Sequence, residues 1–381
     1  MIFLDAASTT RPYKEVIDIV SNVSYNHWYN PSANYSVAHD SMMLIEDVRK
    51  LIAEDINCEP NEIIFTGSAC ESNTQAILGV LNANPNMNFY TTFLEHTSID
   101  DIATSLPNHK VGCISNHKDG TINLENLENA LLWHYRHNMK TLVSIQYANS
   151  EIGVIQNIKT ISEVVHKYGG ILHVDAVQYF PWHKIDVQDV GIDLMSVSGQ
   201  KFHGGRGCAF LFVRNGIEIN PIIYGSQEHN LRGGTYNTAA ICGLRKALEL
   251  TRQHNAGSYV KKLRDKLLDE LLKIEGVHLN GPGLQSLQRM PNIISLTIDG
   301  VGAETLVSMC DLIGNIIIGK GSACHSYEPT PSKSLMAIDL TWEQALNTIR
   351  ISLDEFNTEE EIEYAGKIIP MLIERIRNDV K

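Results

Sequence analysis

Between residues 62 and 213, short apolar runs alternate with longer stretches whose apolar positions recur at helical spacing. This alternation constrains the fold more than any other feature of the chain. Glu62–Thr66, Asn88–Leu94, Thr141–Tyr147, Ile171–Asp175, Leu194–Ser198 and Cys208–Val213 read as strands. Amphipathic segments such as Ser72–Leu81 and Ile158–Tyr168 lie between them and read as helices. Parallel neighbours need a crossover long enough to hold a helix, so this order predicts an α/β chain with a mostly parallel sheet. Beyond about Ala256 the pattern changes to a charged helix (Ser258–Glu275), a strand (Asn292–Ile298), further helix and loop, and a terminal acidic helix. The change predicts a second, smaller unit with its boundary near His254–Gly257.

Composition narrows the function classes. The 31 basic and 44 acidic residues leave a net charge of -13, which repels phosphate backbones, so direct nucleic-acid binding is not expected. No apolar run approaches the roughly 18 residues of a membrane span. The start, Met1-Ile-Phe-Leu-Asp5, has neither a basic segment nor a long apolar one, and a cytoplasmic location is the expectation. The cysteines at 58, 70, 113, 208, 242, 310 and 324 form no C-x-x-C pair, which argues against a disulfide framework and a zinc or dithiol site. Cys113, Cys208, Cys242 and Cys310 sit among apolar neighbours and are expected in the core.

Four strand ends carry chemistry. Leu194–Ser198 leads into Gly199-Gln200-Lys201 and a Gly-rich turn. A lysine held there can be partly desolvated, which lowers its pKa and frees the amine as a Schiff-base nucleophile, although a lone lysine beside a turn also fits ordinary solvation. Asp175 ends an apolar strand, where a carboxylate calls for a cation such as a pyridinium nitrogen or else caps the next turn. Gly67-Ser68-Ala69-Cys70-Glu71 joins a strand to a helix start whose free amides could cradle a phosphate; an unliganded helix cap reads the same way. Glu95-His96 follows another strand and places an imidazole where α/β sheets bind ligands.

Taken together with Asp175-x-x-Gln178, Leu4-Asp5-Ala-Ala-Ser-Thr-Thr10, Asn30-Pro31-Ser32, Asn149-Ser-Glu-Ile-Gly-Val154, Arg232-Gly-Gly-Thr235, Gly319-Lys-Gly-Ser-Ala-Cys324 and Ile349-Arg350-Ile-Ser-Leu353, these motifs resemble the class V cysteine desulfurases of the NifS/IscS-like group. The similarity runs nearly end to end. It implies a type I pyridoxal-phosphate-dependent transferase fold, with a large cofactor-binding domain over 15–255 and a small domain formed by 1–14 and 256–381. It implies pyridoxal 5'-phosphate as cofactor, with Lys201 as its covalent anchor, Asp175 on the ring nitrogen, Gln178 on the ring hydroxyl and His96 stacked on the ring. Ala69, Cys70, Ser198 and Gln200 would hold the phosphate, joined by Thr235 from the neighbouring subunit of a homodimer, with Ser150 also beside the cofactor. Arg350 would pair with the carboxylate of L-cysteine, and Asn149 would also bind the substrate.

The same resemblance makes Cys324 the decisive residue. It stands in a run of small residues and prolines, Gly319 to Ser332, which reads as a mobile surface loop of the long-loop subgroup. The implied reaction converts L-cysteine to L-alanine and leaves a persulfide on Cys324 for an acceptor protein. Iron–sulfur assembly, tRNA thiolation, cofactor synthesis and DNA phosphorothioation are all open as destinations. An aminotransferase or C–S lyase would need Lys201 and Asp175 but not Cys324, and a non-catalytic scaffold would need none of them. Four positions depart from the family pattern: Cys70 for threonine, Gln200 for histidine, Ser150 for asparagine, and Asp354-Glu355 for Gly-Arg. The last pair is expected to alter surface charge near Arg350, and the acidic run Glu359 to Glu363 is expected to favour a basic partner.

Overall fold

The computed structural model describes residues 1–107, 110–321 and 330–379. Its strands are β1 (Ile2–Leu4), β2 (Ile63–Thr66), β3 (Asn88–Thr92), β4 (Val111–Ile114), β5 (Thr141–Gln146), β6 (Ile171–Asp175), β7 (Leu194–Ser198), β8 (Ala209–Val213), β9 (Val277–Leu279), β10 (Ile293–Ile298), β11 (Ile316–Lys320) and β12 (Thr348–Ser352). They form two sheets. The larger has the order β2-β8-β7-β6-β5-β3-β4, and β8 alone runs against the other six. The smaller has the order β1-β11-β12-β10-β9; only its β1–β11 pair is parallel.

Every residue of β2, β5, β7 and β8 is buried, as expected for strands covered by helices on both faces. One apolar cluster, with Ile52, Val143, Val174, Val197, Phe202 and Phe210, and a second, with Ile64, Ile77, Phe89, Leu142 and Leu211, fill its two sides. A separate cluster of Leu4, Leu267, Ile294, Ile318, Ile351 and Ile369 belongs to the smaller sheet. Among the described residues no helix is long and apolar enough to cross a membrane.

The chain departs from its sequence pattern in instructive places. The helix expected over Ser72–Leu81 covers Ala69–Ala83, because Ser68 Oγ accepts the Glu71 N–H and starts it early. Strands β1, β4, β9, β11 and β12 fall outside the expected strands. Four of them join β10 in the smaller sheet, where the sequence pattern predicts helix and loop around one strand. Strand β4 is the short edge of the large sheet and lacks apolar alternation. Cys113 lies on it and is exposed, not buried, since its side chain faces solvent at that edge; Cys208, Cys242 and Cys310 are buried as expected. Asp354-Glu355 is not a surface feature. Asp354 is 5% exposed, and Glu355 accepts from the Tyr13 hydroxyl and pairs with His254 Nδ1 at 2.9 Å, because the chain leaves β12 straight into the seam between the sheets. Lys266 reaches Glu363 at 2.7 Å and Glu359 at 3.5 Å, so the helix Glu359–Asp379 spends part of its acidic face on its neighbour.

Candidate active site

Six of the seven large-sheet strands run in one direction, so their carboxyl ends share one edge, and there the expected residues gather. Lys201 closes a single 3₁₀ turn, Gly199–Lys201, directly after β7. The turn is possible because residue 199 is glycine: a Cβ would lie 2.7 Å from Leu244 Cδ1 and 3.1 Å from the Cys208 carbonyl. Lys201 Nζ donates to the carbonyls of Ala7 at 2.7 Å and Ser8 at 2.6 Å. Burial and the Arg350 charge lower its pKa to about 8, against the opposing pull of Asp5, Asp175 and Cys70. The strand-end lysine is therefore a desolvated amine between charged groups of both signs.

Asp175 ends β6 and is 7% exposed. Its Oδ2 accepts from Asn73 Nδ2 at 2.9 Å and its Oδ1 from the Val177 N–H at 3.0 Å; it forms no ion pair among the described residues. Asn73 Nδ2 also donates to Ser98 Oγ at 3.0 Å, and Ser98 Oγ lies 2.8 Å from His96 Nδ1. A chain of hydrogen bonds thus runs from the β6 carboxylate to the imidazole after β3. The Ser98 N–H also donates to His96 Nδ1 at 3.1 Å, so in the neutral ring Nδ1 is the acceptor and Nε2 carries the proton. His96 itself is exposed at the head of the helix Thr97–Ser105.

At the end of β2, the Gly67 N–H and Arg232 are both held by Glu71, at 2.9 Å to Oε2 and 2.7 Å to Oε1. Ala69 and Cys70 are the first two residues of the next helix. Their amides donate to no acceptor among the described residues, as helix starts leave them. Gln178 Nε2 donates to the Ala7 carbonyl at 2.9 Å, and the Gln200 carbonyl accepts from Thr10 Oγ1 at 2.9 Å. Ser198 is buried at the end of β7. Thr235 is exposed in the segment before the helix Thr238–His254.

The small sheet faces this edge with Arg350, in mid-strand on β12 and opposite Gly319. Its Nη2 donates to Asp5 Oδ1 at 2.6 Å and its Nη1 to the Ser150 carbonyl at 3.2 Å. Asn149 is 1% exposed; its Nδ2 donates to the Leu94 carbonyl at 3.0 Å and Ser334 Oγ at 3.4 Å, while its Oδ1 accepts from the Glu151 and Ile152 amides. Cys324 lies outside the described residues.

Asn73 and Ser98 read in the sequence as ordinary polar positions in helices, and nothing there marks the Glu95 carboxyl as buried. Burial pushes the Glu95 carboxyl up to about 8, partly offset by the Thr92 hydroxyl bond. Only the adjacency of Glu95 to His96 at a strand end could have drawn attention to it.

Residues 2–365 match the model of the class V aminotransferases, described as Aminotransferase class-V. The chain belongs to the class V aminotransferase family. Within this family it is 34% identical to "Cysteine desulfurase IscS 1" of Archaeoglobus fulgidus over 99% of this chain and 98% of that one. It is equally identical to "Cysteine desulfurase IscS" of Methanosarcina thermophila over 99% and 93%. Among solved structures, a NifS-like protein from Rickettsia africae superposes with a TM-score of 0.87 at 30% identity, covering 99% of both chains. Another, titled "SspA in complex with cysteine", superposes with a TM-score of 0.80 at 28% identity over 94% of this chain and all of that one. Class V aminotransferases depend on pyridoxal phosphate, and this member has the α/β fold of that group.

Proposed function

We propose that this chain is a cysteine desulfurase that works as a homodimer, converts L-cysteine to L-alanine, and leaves the sulfur as a persulfide on Cys324 for an acceptor protein. The observation that carries the reading is the position of Lys201, a desolvated amine whose charge neighbours include Asp175 from one sheet and Arg350 from the other. Residues 15–255 would act as the cofactor unit, and 1–14 with 256–381 as the unit that brings substrate and Cys324 to it.

The residues present fit pyridoxal 5'-phosphate. Asp175 is a buried carboxylate with neutral donors only, suited to a protonated ring nitrogen. The free amides of Ala69 and Cys70 suit a phosphate. Ser198 and Gln200 would complete that cradle, with Thr235 contributed from the second subunit. Gln178 would meet the ring hydroxyl, His96 would lie on the ring face, Ser150 would flank it, and Lys201 would be the covalent anchor. When bound, the cofactor supplies an electron sink for charge developing at the substrate α-carbon.

The chain's own residues would do the rest. Arg350, supported by Asn149, orients the substrate carboxylate. The Lys201 amine, with its lowered pKa, takes the α-proton near neutral pH. His96, fixed by Ser98, moves protons at Nε2. The Cys324 thiolate attacks the substrate sulfur, the carbon–sulfur bond breaks, the carbon fragment regains protons and leaves as L-alanine, and Cys324 keeps an S–SH group.

The test is Cys324→Ser. It should retain the cofactor's visible absorbance and its shift on adding L-cysteine, yet form no persulfide and release no alanine. Sulfide release at the wild-type rate from this variant would instead make the protein a C–S lyase without a relay.

A further inference from the structure

The guanidinium assigned above to the substrate carboxylate already holds a carboxylate. Arg350 Nη2 and Asp5 Oδ1 are 2.6 Å apart, with 14% and 17% of their side chains exposed, so solvent screens the pair weakly. The contact is monodentate: Arg350 Nε, beside Nη2, is buried without a partner among the described residues. Glycine at 319 leaves room for both side chains as they stand, since a Cβ there would come 2.8 Å from Asp5 Oδ1 and 3.1 Å from Arg350 Nη2.

Asp5 is fixed by its backbone. It forms a parallel bridge with Ser352. The Ala6 N–H donates to the Ser352 carbonyl at 3.0 Å and the Ala7 N–H to Ser352 Oγ at 2.9 Å. Its carbonyl accepts from both the amide and the hydroxyl of Ser8, at 3.0 and 2.7 Å. The same short strap brings the Ala7 and Ser8 carbonyls to Lys201 Nζ. The Asp5 backbone is therefore held beside Arg350 when another carboxylate arrives.

We infer that Asp5 is a built-in competitor for Arg350, a positioning residue that sets how tightly the site holds the α-carboxylate of an amino acid. This rests on the reading of Arg350 as the carboxylate site. A substrate that approaches with both oxygens can outbid one monodentate oxygen, because bidentate guanidinium–carboxylate contacts are the stronger kind. It does so beside a displaced Asp5 carboxylate, and like charges at close range repel. Both effects weaken the hold on any ligand that relies on its carboxylate. Product alanine shares that group with the substrate but lacks the sulfur, so its release is favoured.

The experiment measures dissociation constants on the cofactor-loaded protein by calorimetry, for L-alanine and for cysteamine, which keeps the amine and thiol but has no carboxylate. Asp5→Asn should bind L-alanine about tenfold more tightly than wild type, the equivalent of one half-buried charge contact. Its affinity for cysteamine should change by less than about twofold, because that ligand does not use Arg350. The KM for L-cysteine should fall in the same direction as the L-alanine constant. Asp5→Ser serves as the second variant if Asp5→Asn does not fold. Equal or weaker L-alanine binding in a folded variant overturns the inference, as does equal tightening for cysteamine. Arg350→Ala separates the two claims. If it leaves L-alanine affinity unchanged, the carboxylate assignment of Arg350 fails and the inference with it; if it weakens binding while the Asp5 variants do not tighten it, only the role of Asp5 fails.

Discussion

Arg49 and Glu228 meet at 2.9 Å with 3% and 1% of their side chains exposed, whereas Arg350 and Asp5 meet at 2.6 Å with 14% and 17%. The first pair lies beside β2, and each nitrogen of its guanidinium has a partner. Arg49 gives both Nη atoms to Glu228, Nη1 also to the Ile63 carbonyl, and Nε to Glu46, while Glu228 also accepts the Phe65 N–H. The second pair lies at the seam between the sheets and leaves Nε unused among the described residues. One ion chemistry thus serves two ends. A dry pair with every guanidinium nitrogen bonded anchors β2, and a monodentate pair at an opening can exchange partners.

The contrast extends to the sheets. The large one presents its site residues at strand ends, where parallel direction alone brings them together, and the small one presents Arg350 from mid-strand, where only packing across the seam aims it.

Four measurements test this division of labour. The largest effect should come from the large-sheet edge itself: Lys201→Ala should lower alanine production by roughly 10³-fold or more, because on the proposed function it removes the covalent anchor and the base together. Substantial turnover in that variant, measured after incubation with pyridoxal phosphate, would remove the strand end from the chemistry.

Next comes the dry pair. Glu228→Ala leaves Arg49 charged and buried, and should destabilise the protein by about 3–5 kcal/mol in denaturant unfolding. A loss under about 1 kcal/mol would mean that the two pairs do not differ as described.

A third effect follows from the Lys201 amine. In the cofactor-free protein its pKa is about 8 against 10.5 for the ordinary side chain. Between those values the unfolded chain keeps the proton that the folded chain has lost, so stability rises with pH across that window. Wild type should therefore gain on Lys201→Met by about 2 kcal/mol between pH 8 and pH 10.5, and a flat difference would show that the amine is not desolvated.

The smallest effect tests the link between strand ends. Asn73→Ala removes the bridge from Asp175 to Ser98 and should lower kcat/KM by about tenfold through misplacement of Asp175 and His96. An unchanged kcat/KM with an unchanged fold would reduce Asn73 to a packing residue.

Much of the candidate site at the large-sheet edge was legible in the sequence. Lys201, Asp175 and His96 follow apolar runs, and a parallel sheet with helical crossovers sends such residues to one edge. The cradle at Ala69-Cys70 was visible as small residues at a strand-to-helix junction, misplaced only in where its helix starts. Asn73 and Ser98 stayed hidden, since hydrogen bonds between side chains from separate helices leave no periodic trace in the chain.

What the order of residues determined by itself was local: strand and helix alternation, the residues at strand ends, and the family to which those motifs belong. Tertiary structure decided the rest. It set Asp5 against Arg350 across 345 positions, turned Glu355 inward onto Tyr13 and His254, and left Cys113 exposed on an edge strand. The physical reason is common to all three. Hydrophobic periodicity reports which face of an element is buried, but the partner of a charge, and whether a strand has a neighbour on its far side, depend on where distant segments dock.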